Sequence, residues 1–154
     1  MNQKTETARM ALSETEMAML RSAAGYIIPA NAAMSVPGAD DPAIFADIVA
    51  SIGRYGADIH EALRRIEAAA GGVLATMSDA ERGDAMTRFR REQPALAVSL
   101  GAVVARCYYR DDRVMRAIGM EVRAPYPQGF ELEQGDWSLL DPVRKRGRMY
   151  RDAG

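Results

Sequence analysis

Two Ser-x-x-Glu boxes and three prolines decide most of what this chain can fold into, because they fix where helices begin and end. The boxes are Ser13-Glu14-Thr15-Glu16 and Ser78-Asp79-Ala80-Glu81. In such a box the serine oxygen accepts a backbone N–H three residues on, and the glutamate reaches back to the serine N–H. The prolines are Pro29, Pro42 and Pro94. Proline suits the first position of a helix and disfavours helical geometry in the residue before it.

These marks divide the first 120 residues into helical segments. After the first box, Met17, Leu20, Ala24, Ile27 and Ile28 recur at helical spacing, and Leu12 and Met17 are placed to close a hydrophobic staple. Pro29 ends that helix, and the stretch from Ala30 to Asp41, with Pro37 and Gly38, reads as a loop. Asp41-Pro42 opens a second helix with the stripe Ile44, Phe45, Ile48, Val49 and Ile52, closed by Gly53 and Gly56. A third helix is predicted to start at Asp58 and run through Ile59, Leu63 and Ile66 to Gly71-Gly72. The second box starts a fourth, from Asp79 to Arg91, with only Met86 and Phe89 on its apolar face.

The segment 94–109 is the most apolar of the chain, with Leu96, Val98, Leu100, Val103, Val104, Cys107 and Tyr108. Its valines suit a strand, but strands rarely exceed about ten residues. A helix apolar on most sides belongs at the centre of a fold. Asp111-Asp112 then caps a short helix carrying Val114, Met115 and Ile118, with Gly119 as its stop. The prediction is an all-α protein: a compact bundle of five or six helices around a central buried helix. Residues 1–120 form this helical domain, with 1–12 expected to fray. Residues 121–154 form an extended, irregular C-terminal arm, part of the same domain or wrapped on a partner.

The arm carries Tyr126, Phe130, Trp137 and Tyr150, together with Pro125, Pro127, Pro142, Gly129, Gly135 and Gly147. Disordered segments are poor in aromatics, and long irregular segments of compact proteins are usually functional or disordered. This one is therefore expected to lie on something, either its own 94–109 helix or another chain. Tyr126, Phe130, Trp137, Leu139, Leu140, Arg144, Arg146 and Tyr150 are the candidate partner-binding residues, since aromatic and Arg side chains dominate interface anchors.

The residues offer no reactive constellation. Cys107 lies in the most apolar helix, where a thiol is ordinarily inert packing. His60 is the only histidine and has no companions for a metal cluster. Asp40-Asp41 and Asp111-Asp112 precede helices, where carboxylates favour the helix dipole, and with Glu131/Glu133 they lack the order of a calcium loop. No Gly-rich phosphate or dinucleotide motif occurs. The expectation is no catalytic residue, no metal and no cofactor in this chain. A competing reading is a small helical enzyme in which Glu61, Glu67, Asp111 and Asp112 converge for acid–base work. Another is a regulatory or DNA-binding protein using Arg82–Arg91 as a recognition helix. Twenty basic against twenty-one acidic residues give a net charge of -1. Bulk charge thus does not call for nucleic acid. No run reaches the roughly 20 apolar residues of a membrane span, so direct membrane insertion is not expected.

Several motifs, in order from Leu12 to Met120, resemble the gluconate 2-dehydrogenase subunit 3 family. LSETEMAMLRSAAGYIIPAN is similar to the family's opening helix with its I-I-P stop, and VPGADDPAIFADIVASI to its P-G-A loop and following helix. MSDAERGDAMTRF resembles a later capped helix, and ARCYYRDDRVMRAIGM its Y-Y and I-G closing motif. The resemblance implies a small accessory subunit without catalytic residues. Its large partner is an FAD-carrying flavoprotein of the glucose–methanol–choline type, with a cytochrome c subunit in some complexes. It also implies a role in folding, maturation or export of that partner. The family often carries a twin-Arg export signal, whereas this chain opens MNQKTETARM, so a cytoplasmic location is expected, or a periplasmic one through co-export. The arm beyond Met120 is longer than the family pattern.

Overall fold

Helices form where the caps and prolines direct them. The computed structural model describes residues 12–72, 74–123, 129 and 133–147. The chain divides into two units, Met1–Val122 and Arg123–Gly154, each described by itself.

In the first unit α1 (Glu14–Ile27) starts on the complete Ser13–Glu16 capping box and stops at Ile28, which is extended ahead of Pro29. α2 (Pro42–Ser51) is capped by Asp41, whose side chain accepts from the N–H of Ala43 and Ile44. α3 (Gly56–Ala70) ends in left-handed Gly71 at φ 72, a conformation that costs glycine least. α4 (Asp79–Glu92) starts on the second complete capping box. α5 (Pro94–Tyr108) has Pro94 in its first turn, and α6 (Asp112–Ala117) is capped by Asp111. The described residues contain no strand, and the fold is all-α. A lone antiparallel bridge between Asn31 and Val36 pinches the loop before α2. In that loop a Cβ on Gly38 would come within 2.9 Å of the Ala30 backbone nitrogen, so only glycine fits there.

The third helix starts two residues earlier than its sequence pattern indicates. Gly53, at φ 41, ends α2, and a 3₁₀ turn (Gly53–Tyr55) leads straight into Gly56. Gly56 is buried as the first residue of α3 rather than acting as a stop, so tertiary packing overrides glycine's low helix propensity. Asp58 sits within the first turn instead of at the cap. There its charge still meets the positive end of the helix. A second 3₁₀ turn (Leu74–Thr76), which the sequence did not reveal, links α3 to α4, packs against α1 and buries Leu74 completely.

α5 packs against α1, α2, α3 and α4 and is the central helix of the bundle. It buries Leu100, Val103, Val104, Cys107 and Tyr108, but its N-terminal half turns Val98 outward, 71% exposed. α3 contributes Ile59, Leu63 and Ile66, and the facing helices add Leu20, Ile48 and Phe89, all 2% exposed or less. Full burial of each such side chain contributes about 1.5–3 kcal/mol. No buried polar or charged residue interrupts this core among the described residues.

Candidate partner-binding segment

In the second unit the described segment 133–147 forms a small turn closed by its own hydrogen bonds. Asp136 accepts from the Ser138 N–H at 3.0 Å and from the Ser138 hydroxyl at 2.6 Å. The Ser138 hydroxyl, together with the backbone N–H, holds the Asp136 carboxyl below its ordinary range. This cap starts a 3₁₀ turn, Trp137–Leu140, which runs directly into α7 (Asp141–Arg144) with Pro142 in its first turn. Lys145 N–H returns to the Asp141 carbonyl at 3.0 Å, and Arg146 N–H to that of Val143 at 3.1 Å.

The apolar side chains of this turn face outward. Trp137 is 60% exposed, Leu139 74% and Val143 56%, with Leu140 also exposed. The Trp137 indole N–H donates to Gln134 Oε1 at 3.4 Å. Arg144 pairs with Asp141 at 3.4 Å. Lys145 and Arg146 are exposed and stand within salt-bridge distance of no carboxylate among the described residues. Of the eight residues singled out from the sequence, Trp137, Leu139, Leu140, Arg144 and Arg146 thus lie together on ten residues of chain. Tyr126, Phe130 and Tyr150 lie outside the described residues, as does Glu131.

The polar groups of the helical unit are tied to one another. Arg110 forks onto Asp47, with Nε to Oδ2 at 2.5 Å, and also donates to the Ser51 hydroxyl at 2.5 Å. The guanidinium holds the Asp47 carboxyl below its usual range. Cys107 lies under this pair, 1% exposed, and burial pushes its thiol up, away from the reactive thiolate. Arg113 spans two caps at once, reaching Asp41 Oδ1 at 2.7 Å and Asp111 Oδ2 at 3.0 Å. Both carboxyls are lowered, chiefly by hydrogen bonding to that guanidinium. Glu16 contributes to its capping box and meets His60 Nδ1 at 2.7 Å, linking α1 to α3. Burial pushes the Glu16 carboxyl up, but hydrogen bonds from Ser13 and His60 outweigh it, and the net shift is downward.

The competing site residues are placed as follows. Glu61 pairs with Arg64 and Arg65 on its own helix, Asp112 pairs with Arg116, and Asp111 is the α6 cap. On α4, Arg82 bonds the Met77 carbonyl, Arg88 the Ala69 carbonyl at the end of α3, and Arg91 pairs with Glu92. Arg82 and Arg88 thus tie α4 to the turn before it and to the end of α3, whereas Arg91 pairs only with its exposed neighbour. Among the described residues no three His, Cys, Asp or Glu side chains gather as a metal site, and no helix is long and apolar enough to cross a membrane. A groove of about 270 Å³ runs between α1, α4 and the outward half of α5, lined by Tyr26, Ile27, Met86, Phe89 and Leu100 with Arg90 at its edge. Sequence reasoning did not single out Arg110, Asp47 or Arg113. Arg110 and Asp47 are 63 residues apart and Arg113 and Asp41 are 72 apart, and no local pattern marks such pairs. No family model, curated protein or solved structure matches the chain.

Proposed function

We propose that this chain is a non-catalytic small subunit of a heteromeric FAD-dependent dehydrogenase that oxidises an alcohol group of a sugar or polyol. In this reading it supports the folding, maturation or stability of the flavoprotein subunit, which carries both the FAD and the catalytic residues. One observation carries the reading. The turn 136–146 is held by its own cap and backbone hydrogen bonds, yet it keeps Trp137, Leu139 and Val143 largely in solvent. A pre-ordered turn with outward aromatic and aliphatic side chains loses little conformational freedom on docking. Trp and Arg are also the residues that most often anchor protein interfaces.

The ordered motifs from Leu12 to Met120 supply the class of the partner, a glucose–methanol–choline-type flavoprotein. A cytochrome c subunit joins some assemblies of this kind. The carboxylates of the helical unit that were candidates for acid–base work are mostly engaged as caps or ion pairs, which favours a structural role.

Affinity capture of the tagged chain from its native host tests the proposal. The expected result is a yellow complex containing a much larger FAD protein, in fixed ratio to this chain. A chain that elutes alone under several lysis conditions contradicts it.

A further inference from the structure

We propose that the surface which receives residues 137–146 has two adjoining parts, an apolar pocket for Trp137, Leu139 and Val143 and a carboxylate-lined rim for Lys145 and Arg146. This inference rests on the reading that the chain docks on a protein partner, and it specifies the chemistry of that partner's surface.

The charges of the turn are unevenly engaged. Its two central acids are already engaged: Asp136 caps the 3₁₀ turn and Asp141 pairs with Arg144. Lys145 and Arg146 are exposed and face no described carboxylate. The charge is therefore divided along the turn, with engaged acids beside the apolar side chains and, immediately after them, cations that meet no carboxylate among the described residues. Protein interfaces have the same layout, a desolvated apolar core bordered by a polar rim.

The dimensions agree. At about 2.0 Å per residue in a 3₁₀ turn and about 1.5 Å in an α-helix, Trp137 and Arg146 are separated by about 15 Å. Both fit within one standard patch of about 800 Å² per partner. A cation at such a rim mainly sets association rate and salt dependence, whereas a buried aromatic anchor sets the dissociation rate.

A lipid surface fits less well. Polybasic attachment to anionic membranes uses about four to eight clustered cations. From Glu133 to Asp152 the sequence sets Arg144, Lys145, Arg146, Arg148 and Arg151 against Glu133, Asp136, Asp141 and Asp152, so five cations interspersed with four acids offer a bilayer little net positive charge.

The test uses the full chain and the FAD-dependent oxidoreductase subunit that co-purifies with it. Affinity is measured at about 50 mM and about 500 mM salt, where screening lengths differ severalfold. The double reversal Lys145→Glu/Arg146→Glu is expected to weaken binding about tenfold or more at low salt and to approach wild type at high salt. Trp137→Ala is expected to weaken it at least about fivefold at both. Circular dichroism confirms that each variant keeps its helices. If the double reversal binds like wild type at low salt while Trp137→Ala is weakened, the acidic rim is refuted and the subunit reading stands. If no flavoprotein binds the wild-type chain, the subunit reading falls and this inference with it. Binding instead to vesicles rich in phosphatidylglycerol would reassign the segment to a membrane.

Discussion

Tyr108 donates its phenolic hydroxyl to the backbone carbonyl of Pro37 at 3.1 Å, across 71 residues of sequence. The bond fastens the end of the central helix to the loop between α1 and α2, the loop that Gly38 and the Asn31–Val36 bridge also shape. Tyr108 is 4% exposed, and burial pushes its phenol up, so the hydroxyl stays a donor throughout the physiological range.

Replacing Tyr108 by Phe removes that donor and leaves the ring in place. The expected cost is about 1 kcal/mol, the ordinary net value of one such bond. Urea unfolding followed by circular dichroism checks it, read as a lower midpoint with an unchanged slope.

Arg113 joins the caps of α2 and α6, so Arg113→Gln should loosen both helix starts together. Exposed ion pairs contribute roughly 0.2–1 kcal/mol each, and weakening two caps adds to that. A loss of about 1 kcal/mol is expected, and a double-mutant cycle with Asp41→Asn should show coupling rather than additivity.

The same carboxylates set the acid limit of the fold. Asp41, Asp47 and Asp111 all have carboxyls lowered from the ordinary aspartate value in the folded chain, each chiefly by hydrogen bonding to Arg113 or Arg110. A lowered folded value means that the unfolded chain binds protons first as pH falls. Their contribution is therefore complete above the unfolded value of about 3.9 and is lost as pH falls below it through the folded values. Acid titration should show a transition below about pH 4 in wild type, shifted to higher pH in Arg113→Gln. Coincident acid transitions in the two proteins would contradict this assignment.

Leu74 is fully buried within a three-residue 3₁₀ turn. Leu74→Ala should cost about 2–5 kcal/mol, as for any well-packed core leucine, whereas truncating a solvated loop residue costs little. Thermal melts of the variant distinguish the two.

The legible part of the fold was the part written locally. Ser13, Ser78, Asp41 and Asp111 cap the helices they were expected to cap, and Ile28 is extended ahead of Pro29. A cap involves residues within three positions of one another, so sequence alone displays it. Gly56 was misread because its place at the start of α3 depends on packing. Leu74 was missed because three residues are too few to show a period. Val98 reads like any valine of α5, and only the arrangement of neighbouring helices turns it outward. In the candidate site, the aromatic and Arg content of the arm was visible. The turn that presents Trp137 depends on Asp136 and Pro142, whose joint effect becomes clear only in three dimensions.

The central claim is that this chain acts by adhesion and the chemistry belongs to its partner. The most direct measurement compares dehydrogenase activity and FAD content for the flavoprotein expressed with wild-type chain, with Trp137→Ala chain and with none, alongside the isolated chain. The account predicts full activity with wild type, sharply reduced active flavoprotein with Trp137→Ala or without the chain, and neither flavin nor turnover in the chain alone. Turnover or bound flavin in the isolated chain, or a flavoprotein equally active in its absence, would contradict it.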